Sequence, residues 1–244
     1  MMKIEVWSDF ACPFCYIGKR RLEMALDDFE FKDEITIEFK SYELDPLAKP
    51  IRNKKYYELL VNKYGMTVEQ AKQSVQQLVQ QAKEAGLEYR VDSIQHGNTF
   101  DAHRLVKYAE KKAKGKEMAE RLFAAYFTES KQISDHHVLK ELACEIGLDA
   151  EEVLTMLESS KHSKYVREEE AVAREIGVQG VPFFVFDEKY AVSGAQPTQV
   201  FKEVLEEVWR RHNRKSSLET ITPNHSETSY CTDEGCVVER KEDE

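Results

Sequence analysis

The chain has 244 residues, of which 41% are apolar and 33% charged, with a formal net charge of −10. That length buries one sizeable core or two smaller ones without disulfide staples, and the negative balance argues against binding a phosphate backbone or an anionic membrane, both of which need a basic face. No apolar run approaches a bilayer span, and the residues before Cys12 lack the basic region, apolar stretch and cleavage site of a secretory signal. The expected location is the cytoplasm, with neither nucleic acid nor membrane as partner. Stable structural disulfides are rare there, so five cysteines point to catalysis, redox sensing or metal binding.

Taken in order, Ile4 to Ser8 mixes β-branched and aromatic residues and predicts a strand that breaks at SDFACP into a turn and a helix. Leu22, Ala25, Leu26 and Phe29 then recur at helical spacing. Glu34 to Tyr42 alternates Ile35, Ile37 and Phe39 with polar residues, a half-buried strand, so the chain opens β-α-β. From about Tyr56 to Arg174 nearly every segment has helical periodicity. Thr67 to Gln70 fits a capping box with Gly86 as the stop, and Thr99 is placed to cap the helix carrying Ala102, Leu105, Val106 and Ala109. The charged run Arg167 to Glu170 reads as a solvated face. Val181 to Phe186 and Tyr190 to Ser193 predict two strands whose short connection favours antiparallel pairing. Val200, Phe201, Val204, Leu205 and Val208 mark a last helix. From Lys215 the composition turns polar and charged, which predicts a mobile tail.

Cys12 and Cys15, spaced as CPFC, fall on the predicted turn between the first strand and the first helix, and Pro13 suits a first helical turn. There Cys12 lies near unpaired N–H groups and the positive end of the helix dipole, which favour thiolate, while Cys15, one turn deeper, is shielded. An exposed attacking sulfur with a protected neighbour is what disulfide exchange requires. In the tail, a bridge between Cys231 and Cys236 would close too short a loop to staple the fold, which favours an accessory redox pair that exchanges with the first. Two rivals stay open: a buried pair without chemistry, and a zinc site using four cysteines, for which CxxxxC is wider than usual. Cys144 points away from the stripe Val138, Leu139, Leu142 and Ile146 and carries no expectation of chemistry. Asp9 reads as a turn or cap residue rather than a proton acceptor for Cys15. Phe10, Phe14 and Tyr16 are candidates for an apolar rim around the sulfur and equally ordinary core residues.

CPFC, the segment GVPFFVF and the helical insertion together resemble the DsbA-like branch of the thioredoxin superfamily. SDFACPFCYIG, NTFDAHRL and VSGAQP are similar to its cytoplasmic FrnE-like members, kin to hydroxychromene carboxylate isomerases and kappa-class glutathione transferases. The likeness runs from about Lys3 to Arg211. It implies an α/β, thioredoxin-like fold with a large all-helical insertion: residues 1–50 and 166–213 as the thioredoxin-like domain, 51–165 as a helical lobe and 214–244 as the tail. It also implies Cys12 as the attacking and Cys15 as the resolving cysteine, and Pro182 as a cis-proline against the disulfide. Val181 would offer its backbone to a substrate peptide, with Phe14, Phe10 and His103, or Arg104 in its place, lining the cleft.

The implied activity is protein thiol-disulfide oxidation, reduction or isomerisation through a mixed disulfide at Cys12. Substrates would be protein or peptide thiols and disulfides, with a reductase or glutathione as redox partner. No metal or organic cofactor is implied beyond the cysteine pair, glutathione entering at most as a co-substrate. The kindred branch supplies an alternative, a glutathione-dependent isomerase or transferase acting on a small molecule. That branch typically carries serine at the attacking position, and both cysteines are present here. Strongly oxidising DsbA proteins have histidine where this chain has Phe14. A phenyl ring cannot donate the corresponding hydrogen bond, so the expected potential lies between ~−270 mV for thioredoxin and ~−120 mV for DsbA.

Overall fold

A computed structural model describes residues 1–51, 54–213, 228–232 and 235–239, the last two stretches as backbone. Strands β1 (Met2–Ser8) and β2 (Ile35–Ser41) pair in parallel, Val6 opposite Phe39, and helix α1 (Pro13–Asp27) provides the crossover that parallel neighbours require. From the far end of the sequence β3 (Phe183–Phe186) pairs antiparallel with β1, Val6 opposite Phe184. A hairpin to β4 (Tyr190–Ser193) completes the order β2-β1-β3-β4. Being central, β1 is covered on both faces: Met2, Ile4 and Val6 enter the main core, while Trp7 packs with Ala173 and Val178.

Between β2 and β3 run α2 (Tyr56–Tyr64), α3 (Val68–Glu84), α4 (Phe100–Glu110), α5 (Gly115–Phe127), α6 (His136–Glu145), α7 (Ala150–Leu157) and α8 (Ser163–Glu175). The last helix, α9 (Thr198–His212), packs on α1 and buries Phe201, Leu205 and Val208. The capping box of α3 forms as its sequence predicts: Thr67 Oγ1 accepts from the Gln70 amide at 3.2 Å and Gln70 Oε1 from the Thr67 amide at 3.0 Å. Gly86, at φ +73°, ends the helix with a left-handed residue. At α4 the cap differs from expectation. Thr99 makes no side-chain cap bond, and Asn98 Oδ1 instead accepts from the Phe100 amide at 2.8 Å.

One further expectation is corrected in part. Of the run Arg167 to Glu170, Arg167 and Glu168 are exposed, but Glu169 accepts from the Ser41 amide at 2.8 Å and from Lys107 Nζ at 2.8 Å. Arg167 meanwhile reaches Glu170 at 2.7 Å, and Glu170 is itself buried, so these charges brace α8 against β2 and α4. Residues 1–212 make one compact unit in which Leu105, Phe123 and Phe127 share a hydrophobic cluster with Ile4 and Phe184.

The second unit, residues 213–244, contains an antiparallel hairpin of β5 (Thr228–Thr232) and β6 (Gly235–Glu239). Cys231 and Cys236 hold directly opposed positions in it, and their side chains lie outside the described residues. Among the described residues no helix is long and apolar enough to cross a membrane.

Candidate active site

Past the end of β1 the chain turns on Asp9. Its carbonyl accepts from the Cys12 amide at 3.0 Å, and its carboxylate accepts from Ala11 N–H at 3.1 Å and Leu44 N–H at 2.7 Å. It is thus the turn residue its position predicted, and it also ties the turn to the segment after β2. Cys12 follows as the N-cap of α1 (φ −88°, ψ 114°), with Pro13 in the first turn, where no N–H is needed. The Cys12 sulfur therefore sits at a helix N-terminus, beside unpaired amides and the positive end of the dipole.

The far segment comes up against it. The Val181–Pro182 peptide is cis, and Cys12 Sγ donates to the Val181 carbonyl at 3.5 Å. α1 approaches this segment at Gly18, where an added methyl would lie 3.0 Å from Pro182 Cγ and 3.1 Å from Phe184 Cζ. Cys12, Cys15, Val181 and Pro182 are thereby brought together from opposite ends of the sequence.

Burial distinguishes the two thiols less than expected. Cys15 is fully enclosed, and burial first, then its contact with Cys12, holds its thiol well above the ordinary range. Cys12 is only 4% exposed instead of open. Aromatic residues from the helical stretch cover the turn: Tyr89 donates to the Pro13 carbonyl at 2.7 Å, Tyr16 stacks on Phe123 at 5.1 Å, and Tyr89 stacks on Phe127 at 4.6 Å. The phenols of Tyr56 and Tyr89 are pushed up by burial and then by Cys12 nearby, so both stay neutral.

Of the proposed rim, Phe14 is at the surface, 41% exposed, and Val181 is half-buried. Phe10 and His103 are buried instead, the Phe10 ring lying 4.8 Å from His103 and 4.9 Å from Phe123, so neither meets a substrate resting on the surface. His103 faces inward, its Nε2 3.9 Å from Asp9 Oδ1 and without a hydrogen bond. Arg104 turns away from the sulfur. It donates to the carbonyls of Met156 (2.8 Å), Leu157 (3.2 Å) and Lys161 (2.9 Å), at and just beyond the end of α7. Cys144 is exposed, as its helical position predicts. Tyr56 and Tyr89 escaped the sequence reading, since nothing local marks a tyrosine that closes over a turn more than forty residues away.

A family model, the DSBA-like thioredoxin domain, matches residues 3–206. Among solved structures, the chain is similar to "probable DsbA oxidoreductase SCO1869" from Streptomyces coelicolor, with 37% identity, TM-score 0.81, and coverage of 98% of this chain and 100% of that one. It shares the fold of the cytosolic disulfide reductase DsbM from Pseudomonas aeruginosa with GSH, at 16% identity and TM-score 0.60, covering 85% and 99% of the two chains. The protein YwbO of Bacillus subtilis (strain 168) is 28% identical over 206 residues, 83% of this chain and 94% of that protein. Because the matched span holds both the CPFC turn and the cis-proline segment that meets it, the chain belongs to the DSBA-like thioredoxin domain family.

Proposed function

We propose that the chain is a protein thiol-disulfide oxidoreductase in which Cys12 attacks and Cys15 resolves. The observation that carries this reading is the Cys12 sulfur at the N-terminus of α1, 3.5 Å from the Val181 carbonyl. The helix terminus favours thiolate, and the backbone beside the sulfur offers an extended substrate main-chain partners. In the oxidising direction, substrate thiolate opens the Cys12–Cys15 disulfide, and a second substrate thiolate releases Cys12, so two electrons pass to the protein. In the reducing direction Cys12 attacks a substrate disulfide and Cys15 displaces it. Attack and release without Cys15 would isomerise. Glutathione or a reductase resets the pair, and the glutathione carried by DsbM supports that partner class.

The opposed places of Cys231 and Cys236 support an accessory pair, since directly opposed Cα atoms in an antiparallel hairpin lie ~4.5–5.5 Å apart, within disulfide range. Titration against glutathione tests both ideas. The full chain should show two two-electron couples, and a Cys231→Ser/Cys236→Ser variant one, between ~−270 and ~−120 mV. Cys15→Ser should accumulate mixed disulfides on Cys12. A variant without any reversible couple refutes the redox reading, and a full chain with a single couple refutes the accessory pair.

A further inference from the structure

Cys12 caps α1 and its neighbour Phe14 is open to solvent, yet the Cys12 sulfur is nearly enclosed. The CPFC turn does not cover it. The Val181 carbonyl lies on one side at 3.5 Å, and two tyrosines of the helical stretch, Tyr56 and Tyr89, pack into the cluster that holds Cys12. Neither tyrosine has a role in the exchange itself.

The two are held very differently. Tyr89 is buried, its phenol donates to the Pro13 carbonyl at 2.7 Å, and its ring stacks on Phe127 at 4.6 Å and on Tyr16 at 6.1 Å. The next residue is pinned as well, the Arg90 amide donating to the Phe127 carbonyl at 2.7 Å. Tyr56 is the first residue of α2 and is half-buried, with its ring on His96 at 5.8 Å. α2 buries none of its nine residues and packs chiefly on α3 and the turn Val91–Ser93. It ends on Gly65, in the left-handed region at φ +65°. A helix with so little side-chain burial belongs to the low-stability end of a fold and opens before the core does.

We propose that α2 is a movable cover over Cys12 and that Tyr56 is its specificity-determining residue, setting how wide a disulfide partner can be, an inference that rests on the redox reading of CPFC. The favoured partner is an extended polypeptide segment or a small thiol. Such a chain has only to displace one ring, whereas a broad partner must lift the helix off α3, so discrimination comes from a clash and not from added attraction. His96 is the clasp. Its ring carries Tyr56, its carbonyl accepts from the Ile51 amide at 3.1 Å, and its Nδ1 lies 3.0 Å from the hydroxyl of Tyr126 on α5. Tyr126 in turn packs on Phe127 at 4.9 Å, the same ring that supports Tyr89. Because the Tyr56 phenol stays neutral, the cover puts no negative charge of its own in the way of an approaching thiolate.

The test compares two reagents of one chemistry at one sulfur. In the full chain carrying Cys15→Ser, Cys144→Ser, Cys231→Ser and Cys236→Ser, Cys12 is the remaining thiol. Its rate is measured with N-ethylmaleimide and with a maleimide borne on a cysteine-free folded protein. The thiolate fraction cancels from the ratio of small to large, so altered acidity of Cys12 cannot imitate an altered cover. The ratio should fall about tenfold in Tyr56→Ala, hold in Tyr56→Phe, which keeps the ring, and rise in Tyr56→Trp. His96→Ala, which releases the ring, should move it in the same direction as Tyr56→Ala. Amide hydrogen exchange should show α2 opening while α4 and α5 stay protected.

An unchanged ratio in Tyr56→Ala, an equal fall in Tyr56→Phe, or exchange of α2 only by global unfolding overturns the proposal. Should Tyr56→Ala fail to fold by circular dichroism, the Tyr56→Trp ratio decides. Equilibration of the intact CPFC pair with glutathione separates this inference from the reading beneath it. A reversible couple beside a flat ratio overturns the cover alone, and absence of the couple overturns the redox reading and the substrate role of the cover with it.

Discussion

At the scale of single residues, Phe14 places an exposed phenyl ring between the two cysteines, where strongly oxidising DsbA proteins carry histidine. A phenyl ring gives the reduced sulfur no hydrogen bond. Phe14→His adds a donor worth ~1.5–3 kcal/mol to a charged acceptor, and ~1.4 kcal/mol corresponds to ~30 mV, so the potential should rise by about 30–60 mV. Equilibration with glutathione measures it, and a potential that stays put or falls would show that the imidazole does not reach the sulfur. Cys12, Cys15 and Pro182 were legible in the sequence because short motifs mark them. The contact of His103 with Asp9 was not: both residues were noticed, one as a cleft wall and one as a turn, but their meeting depends on how α4 lies across the turn.

At the scale of elements, Gly18 shows how tightly α1 is held against the cis-proline segment. A glycine inside a helix gives up about 0.5–1 kcal/mol relative to alanine, so by helix propensity alone Gly18→Ala should stabilise. Here the added carbon would lie 3.0 Å from Pro182 and 3.1 Å from Phe184, which sits within β3 and cannot swing aside. Overpacking should win and cost about 1–3 kcal/mol in thermal denaturation, whereas a higher melting temperature would show that the segment yields. Element identity was readable wherever the signal was local: the box at Thr67 and Gln70, the alternation of β2, the β3–β4 turn. The charged run on α8 was misread because pattern alone cannot tell carboxylates facing water from carboxylates facing the Ser41 amide and Lys107.

For the molecule as a whole, the helices bring Phe123, Phe127 and Leu105 to the same hydrophobic cluster as the sheet. His96 helps hold that union. Its carbonyl accepts from the Ile51 amide at 3.1 Å, its ring stacks on Tyr56 at 5.8 Å, and its Nδ1 lies 3.0 Å from the Tyr126 hydroxyl. Burial lowers its pKa to about 4, against ~6.5 in an unfolded chain. Folding thus favours the neutral ring: the contribution is complete above pH ~6.5 and drains away as pH falls toward 4, amounting to about 2 kcal/mol by pH 5. Urea denaturation at pH 7 and pH 5 should show that loss, and His96→Gln should shrink it; an equal loss in the variant would place the acid sensitivity elsewhere.

Cys12 is only 4% exposed, so the attack proposed for it would sort visitors by girth before any bond is exchanged. Tripeptide thiols and loosened strands are the slim visitors such a site would admit. A disulfide framed by a finished globule would be shut out, and a catalyst of this kind would work on polypeptides before they close or after they have come apart.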